Sequence, residues 1–365
     1  MKILIIHASA GAGHQKAAEA LHKGIKKNIP CEVILIDALD YTSPFYKELY
    51  RKSYTILITR FPWLWGIFFA LVDIPFLLPL VRLVRRIQNT LNGWKLNKFL
   101  IYNQFDFIIS THFFPTEVAA YLKRTGVIKA KIITAVTDFD VHSIWLTEGV
   151  DCYTVASDWT KKKIQSLGIA QEKIAVTGIP TDEKFSLSRD KNEMRRKLGL
   201  QENIFTVLVA TGSFGIGPIE EIIQAVQNIQ ILVVCGHNKN LFSRLSQTKK
   251  DLVRIFGLVN NMDELMAASD AMVTKRGGLS ISEALVSHLP LIFFNAIPGQ
   301  ESNNVRVLKE YGVGMSDCSI AQIAQALQEF NSSQEKYLAA VEQTKTLARP
   351  EAVKDIIGLI QELKI

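Results

Sequence analysis

Cysteine is scarce in this chain of 365 residues: Cys31, Cys152, Cys235 and Cys318 stand far apart, without the spacing of a metal site or a redox pair. That excludes a disulfide-built scaffold and implies reduced, mostly buried thiols, as the cytosol keeps them. The opening MKILIIHASAGAGH passes from a short apolar strand straight into glycines, with neither the h-region length nor the cleavage site of a secretory signal, so export is not expected. Low-complexity tracts, internal repeats and nucleic-acid module patterns are absent, so the basic charge is not assigned to DNA or RNA. Acidic residues are rare where cations crowd. Residues 42 to 100 hold nine Lys or Arg against only Glu48 and Asp73, an excess equal to the whole formal charge of +7. What is present is ordinary folded composition, 48% hydrophobic and 21% charged, in a length that suits two domains.

The basic segment contains FPWLWGIFFALVDIPFLLPLV, residues 61 to 81, long enough on paper to span a bilayer. Asp73 at a membrane centre would cost about 2.5–3.5 kcal/mol, and Pro62, Pro75 and Pro79 cut any helix into short pieces. The rings of Trp63, Trp65 and Trp94 suit a headgroup layer. Arg82, Arg85, Arg86, Lys95 and Lys98 would each contribute about 1 kcal/mol toward an anionic leaflet. The segment reads as a surface that docks on a membrane, against the alternative of an internal helical pair with a solvated basic face.

Elsewhere strands and helices alternate. KILIIHAS, CEVILID, FDFIIST, AKIITAVTD and CYTVAS read as buried strands of a first parallel sheet, with helical segments between them. The pattern breaks near Gly178-Ile179-Pro180. FTVLVATG, IQILVVCG, VRIFG, AMVT and LPLIFF then make a second doubly wound sheet. The expected division is residues 1–180, with the insertion at about 42–100, then 181–340, then a terminal segment 341–365 whose helix packs back on the first domain.

Chemistry concentrates where strands hand over to helices. Gly11-Ala12-Gly13-His14 follows the first strand, but Lys16 occupies the third glycine position of a dinucleotide fingerprint, which argues against NAD or FAD. Asp138, in TDFDVHSIW with His142 and Trp145, ends another strand and can take a proton or cap a helix. Asp138, Asp140 and His142 lack a further ligand pair, so no metal site is expected. Gly212-Ser213-Phe214-Gly215 offers bare backbone N–H groups to an anion, and Cys235-Gly236-His237-Asn238 ends the next strand at the same edge. TKRGGLSISEAL places Lys275, Arg276, Gly277 and Gly278 before a helix read as starting near Ser280, an N-terminus suited to a diphosphate. The competing reading is a capping box closed by Glu283. Gln300 and Glu301, in PGQESNN, suit sugar hydroxyls or a solvated loop.

Taken together, AGAGHQKAAEAL, TDFDVHSIW, VDCYTVASDWTKKKI, VTGIP, GSFGIGP, CGHNK, NNMDELMAASDAMVTKRGG, SISEAL and PGQESNN stand in the order of the bacterial and plastid diacylglycerol glycosyltransferases, and the chain resembles that family. The resemblance implies α/β architecture of the GT-B kind, two doubly wound Rossmann-like domains facing across a cleft. It implies an inverting transfer of a hexose, glucose favoured over galactose, from a UDP-sugar to diacylglycerol, without cofactor or essential metal, by a peripheral protein on the cytoplasmic side of the membrane. Glu283 would hold the ribose, Gly277, Gly278 and Ser280 the diphosphate, and Gln300 and Glu301 the hexose. Asp138 would be the base and His14 its partner on the acceptor side, where Gly13, His142 and Trp145 also fall. Arg276 stands where the family usually has Pro, either gripping phosphate or facing solvent. A muramyl-pentapeptide GlcNAc transferase is the enzymatic alternative, and a non-catalytic nucleotide-sugar sensor the other. The sequence does not set the oligomeric state.

Overall fold

The computed structural model describes residues 1–364 other than 10, 73, 75, 77, 248, 249 and 295–299. Of residues 54, 58, 59, 62, 65, 68–70, 78, 79, 82, 86, 87, 90, 91, 300 and 301 it describes the backbone alone. Trp65, Arg82, Arg86, Gln300 and Glu301, as side chains, thus lie outside what is described. The chain forms two compact units: Met1–Asp182 with Ile297–Asn304 and Arg349–Ile365, and Glu183–Ala296 with Val305–Ala348.

The first unit is a six-stranded parallel sheet built from β1 (Lys2–His7), β2 (Glu32–Asp37), β3 (Phe107–Ser110), β4 (Lys131–Ala135), β5 (Cys152–Val155) and β6 (Ile174–Val176). Its order is β2-β1-β3-β4-β5-β6. The strand direction of travel reverses between β1 and β3, so the carboxyl ends of those two strands flank the crevice where open α/β sheets take ligands. One face is covered by the helix Ala12–Asn28 and the terminal helix Ala352–Glu362, whose Ile356, Ile357 and Ile360 join Ile3, Ile5, Leu21 and Ile25 in one core. These helices approach closely because Gly24 has no side chain; a Cβ there would stand 2.3 Å from Val353 Cγ1.

Between β2 and β3 run the helices Pro44–Arg60, Pro62–Val72, Leu78–Asn92 and Trp94–Asn103. The first is set by its cap: Ser43 Oγ accepts from Tyr46 N at 3.2 Å, and Pro44 takes the position where a missing N–H costs nothing. Among the described residues, no helix is long and apolar enough to cross a membrane.

The second unit has β7 (Thr206–Ala210), β8 (Gln230–Val234), β9 (Val253–Phe256), β10 (Ala271–Thr274), β11 (Leu291–Phe294) and β12 (Met315–Cys318), in the order β12-β11-β10-β7-β8-β9 and all parallel. This is the doubly wound dinucleotide-fold order, with its reversal between β7 and β10.

Candidate functional site

At the reversal point of the first sheet, three loops converge on His14. Its Nδ1 lies 2.8 Å from the Thr111 carbonyl oxygen, which can only accept, so Nδ1 carries the hydrogen and Nε2 the lone pair. Thr137 Oγ1 is 2.9 Å from the same nitrogen, and Thr111 Oγ1 donates back to the His14 carbonyl at 2.8 Å. Among the described residues Nε2 makes no hydrogen bond. Desolvation lowers the His14 pKa to about 4; the Thr111 bond opposes the shift and nearby His7 adds to it. The ring is therefore neutral at physiological pH, with a nitrogen ready to accept.

Aromatic side chains pack around the His14 ring. His112 meets His14 edge-on at 4.7 Å between ring centroids, Trp145 stands 5.9 Å away, and Phe113 packs on His112 at 4.1 Å. His112 is buried and its Nδ1 accepts from Phe114 N at 3.1 Å, which caps the helix Phe113–Arg124; burial holds its pKa well below the usual value. His142 acts similarly, accepting from Ile144 N at 3.1 Å to start the short turn that delivers Trp145.

Asp138 follows β4 and is buried, as is its neighbour Asp140, which pairs with Lys163 at 2.5 Å. The residue that organises this loop was not singled out in the sequence: Asn304. Its Oδ1 accepts from the backbone N–H groups of Phe139 at 2.9 Å and Asp140 at 3.1 Å, and its Nδ2 lies 3.4 Å from Asp138 Oδ1. The signal was available, since Asn304 closes the PGQESNN block, but one amide among several polar residues carries no distinguishing chemistry. His112 was missed for a similar reason, although its place after β3, at the reversal point, marks it.

In the second unit the glycine loops interlock. Gly212, Gly215 and Gly236 have φ of 80°, 57° and 59°, a region that side chains avoid. His237 N donates to Ser213 O at 2.8 Å, and Asn238 Nδ2 to Gly215 O at 3.3 Å, while Asn238 Oδ1 caps the helix Lys239–Ser246 through Leu241 N. A Cβ on Gly212 would stand 2.7 Å from Lys275 Cε, so the Lys275 stem lies directly over the loop after β7. Beside it Gly277 caps the helix Gly278–Val286 without any side-chain hydrogen bond, which leaves first-turn N–H groups beside a cation. A Cβ on Gly236 would meet Ser213 O at 2.5 Å, and a carbonyl cannot rotate away as a lysine can. Gly236→Ala is expected to cost about 1–3 kcal/mol, read by chemical denaturation.

Four expectations change. The helix starts at Gly278, two residues before Ser280, because Gly277 supplies the extended cap; Ser280 is thus in the first turn, Glu283 lies in the second, and the Ser280–Glu283 capping box does not form. The Cys235 side chain is a core group, fully buried with its thiol pushed up to about 11 by desolvation. Arg276 does not face solvent: it is 2% exposed and pairs with Asp317 at the edge strand β12. Arg85 also turns inward from the proposed leaflet face, pairing with Glu117 at 2.7 Å and stacking over Phe113 at 5.2 Å.

Comparison with known proteins adds independent findings. Residues 14–181 match the family model described as monogalactosyldiacylglycerol (MGDG) synthase, and residues 206–356 the glycosyltransferase family 28 C-terminal domain. Processive diacylglycerol beta-glucosyltransferase of Bacillus thuringiensis (strain Al Hakam) is 30% identical over 379 residues, 99% of this chain and 93% of that protein. The same-named protein of Bacillus cereus (strain AH820) is 30% identical over 377 residues, 98% and 93% of the two chains. In fold the chain is similar to MurG of Acinetobacter baumannii, with a TM-score of 0.63 at 13% identity over 99% of this chain and 100% of that one. It is also similar to CalG4, the calicheamicin glycosyltransferase, with a TM-score of 0.62 at 13% identity over 98% of each chain. Anabaena Alr3699/HepE in complex with UDP-glucose gives a TM-score of 0.60 at 15% identity, over 99% and 100%.

Proposed function

This chain belongs to the diacylglycerol glycosyltransferase family, within glycosyltransferase family 28, and from that premise we propose that it moves glucose from UDP-glucose to the free hydroxyl of 1,2-diacylglycerol with inversion. The observation that carries the reading is the His14 site: a neutral imidazole whose Nε2 makes no hydrogen bond among the described residues, with aromatic rings packed around it, at the reversal point of the first sheet. We assign the accepting atom to His14 Nε2, with Asp138 supporting the imidazolium that forms, which reverses the roles implied by the resemblance. The reason is local. Nδ1 is already committed to Thr111, whereas the Asp138 loop is tied to Asn304 one residue beyond Thr137, which itself touches His14. As the oxygen attacks the anomeric carbon, its proton passes to His14 and UDP departs from the opposite side, so the new glycoside is β. Lys275 and the uncapped helix end at Gly277 take up the growing diphosphate charge. With that pair facing the leaving group no metal is expected to be required, and turnover is expected to be unchanged in excess EDTA.

The lipid reading draws on the inserted helices. Phe76 is 89% exposed, Phe45 78% and Trp63 59%, and Lys95 and Lys98 sit over the Trp94 ring at 5.7 and 5.1 Å. Such an apolar, basic surface suits the headgroup layer of an anionic leaflet on the cytoplasmic side. Trp63→Glu is expected to reduce cosedimentation with anionic vesicles about tenfold or more, and raising salt from low to 0.5 M to weaken wild-type binding.

The function is tested by supplying UDP-glucose or UDP-galactose with diacylglycerol vesicles and following UDP release, product mass and linkage. Release that needs lipid, with a β-glucoside as product, is expected. Release without lipid would mean hydrolysis, and UDP binding without release would mean a sensor; either result removes the transferase reading.

A further inference from the structure

A charged cluster beside the acceptor pocket is not used by the chemistry above. Asp37, at the end of β2, accepts from Ser9 N at 3.2 Å, from Leu39 N at 3.0 Å and from the Ser9 hydroxyl. Arg51 reaches the same two residues: its Nε donates to Ser9 Oγ at 2.9 Å, one Nη makes a second bond to that oxygen, and the same Nη lies 3.3 Å from Asp37 Oδ2. Arg51 comes from the helix Pro44–Arg60, whose Phe45 and Leu49 are exposed. Ser9 stands where β1 turns toward the helix that carries His14. The residue before Arg51 forms a second link, since the Tyr50 ring is 6.4 Å from His112, and His112 is 4.7 Å from His14.

We propose that Arg51 is a positioning residue for the acceptor pocket, clamping Ser9 to Asp37 from a lipid-facing helix and so fixing the turn that delivers His14. The proposal rests on the diacylglycerol transferase reading. A guanidinium suits this task because its planar fork meets a hydroxyl and a carboxylate together; an ammonium has no such fork. Loosening the turn displaces the accepting nitrogen, and displacements of about 1 Å at a reacting group cost up to about 100-fold in rate. Donor affinity, set by loops of the second unit, has no reason to change.

The test uses the full chain with vesicles of diacylglycerol and anionic lipid. Arg51→Ala is expected to lower kcat about 10- to 100-fold with KM for UDP-glucose and vesicle cosedimentation unchanged. Arg51→Lys should recover part of the rate. Asp37→Asn combined with Arg51→Ala should be no worse than the larger single loss, as expected for residues in one cluster. An unchanged kcat overturns the proposal. So does a loss of rate matched by an equal loss of vesicle binding, or one that vanishes when rate is expressed per folded molecule. If the wild-type protein fails to glycosylate lipid, the parent reading fails instead, and the clamp is read from the His14 imidazole resonance. That signal should shift in Arg51→Ala and stay in place in the exposed control Lys345→Ala; an unmoved signal rejects the clamp.

Discussion

His14→Ala is expected to lower kcat about 100- to 10,000-fold while leaving the affinity for UDP-glucose intact, because it removes the accepting nitrogen and nothing that touches the donor. Asp138→Asn should give a smaller loss, and the double variant should be no worse than His14→Ala, since the carboxylate acts only through the imidazolium. The pH dependence gives a sharper check. An ordinary histidine base would lose activity below about pH 6.5, but His14 is held at about 4 by desolvation, so the neutral ring persists and kcat/KM should stay flat well below that value. A limb that falls near pH 6.5 in protein shown to be folded would reject His14 as the base. Folding stability follows the same sign. His7, His14 and His112 all have lowered pKa values, so the unfolded chain binds protons that the folded one refuses. Stability contributed by these rings is full above about pH 6.5 and falls as the pH drops toward 4, which thermal melts across that range will show.

How far the sequence could be read depended on whether a residue's role was carried by pattern or by partners. Both parallel sheets were legible because strands buried on two faces are continuous apolar runs, as in ILII, FIIS, VLVA and ILVV. Two of the four edge strands, β6 and β12, were not. Ile174–Val176 has three residues, and Met315–Cys318 reads MSDC, because an edge strand with solvent on one side needs no apolar run. The order of strands was also hidden, though it puts the loops after β1 and β3, and those after β7 and β10, at the reversal points where open α/β sheets take ligands. His14 was visible as glycine-flanked chemistry at a strand end. That its Nδ1 is taken by the Thr111 carbonyl depends on a residue 97 positions away, which no local spacing encodes. Arg276 shows the same limit: a cation between a lysine and a glycine reads as a phosphate ligand or a solvated charge, and its pairing with Asp317, 41 positions away, is written in no local pattern.

That partner gives the second large effect. Asp317 accepts from Arg276 and also pairs with Lys309 at 3.1 Å, and it does so with φ of 59°, in the left-handed region. Arg276 is buried and Asp317 is half exposed, so the two substitutions are not equivalent. Arg276→Met removes the buried charge and leaves a solvated carboxylate still facing Lys309. Asp317→Asn leaves the buried guanidinium without this carboxylate, and is expected to cost about 1–3 kcal/mol, below the value for fully buried pairs because solvent screens the exposed partner. Asparagine isolates the charge, since it tolerates the left-handed backbone; Asp317→Ala should cost about 1 kcal/mol more through strain. The Arg276 hydrogen bond, first, and Lys309 hold the Asp317 carboxyl below its usual pKa, so this contribution is present above about pH 4 and fades as the pH falls through the lower folded value. Denaturant melts of the three variants at neutral pH will rank them. Because Arg276 lies between Lys275 and the Gly277 cap, the same Asp317→Asn change should weaken UDP binding, whereas Arg276→Met weakening it more than Asp317→Asn would point to direct phosphate contact by the guanidinium.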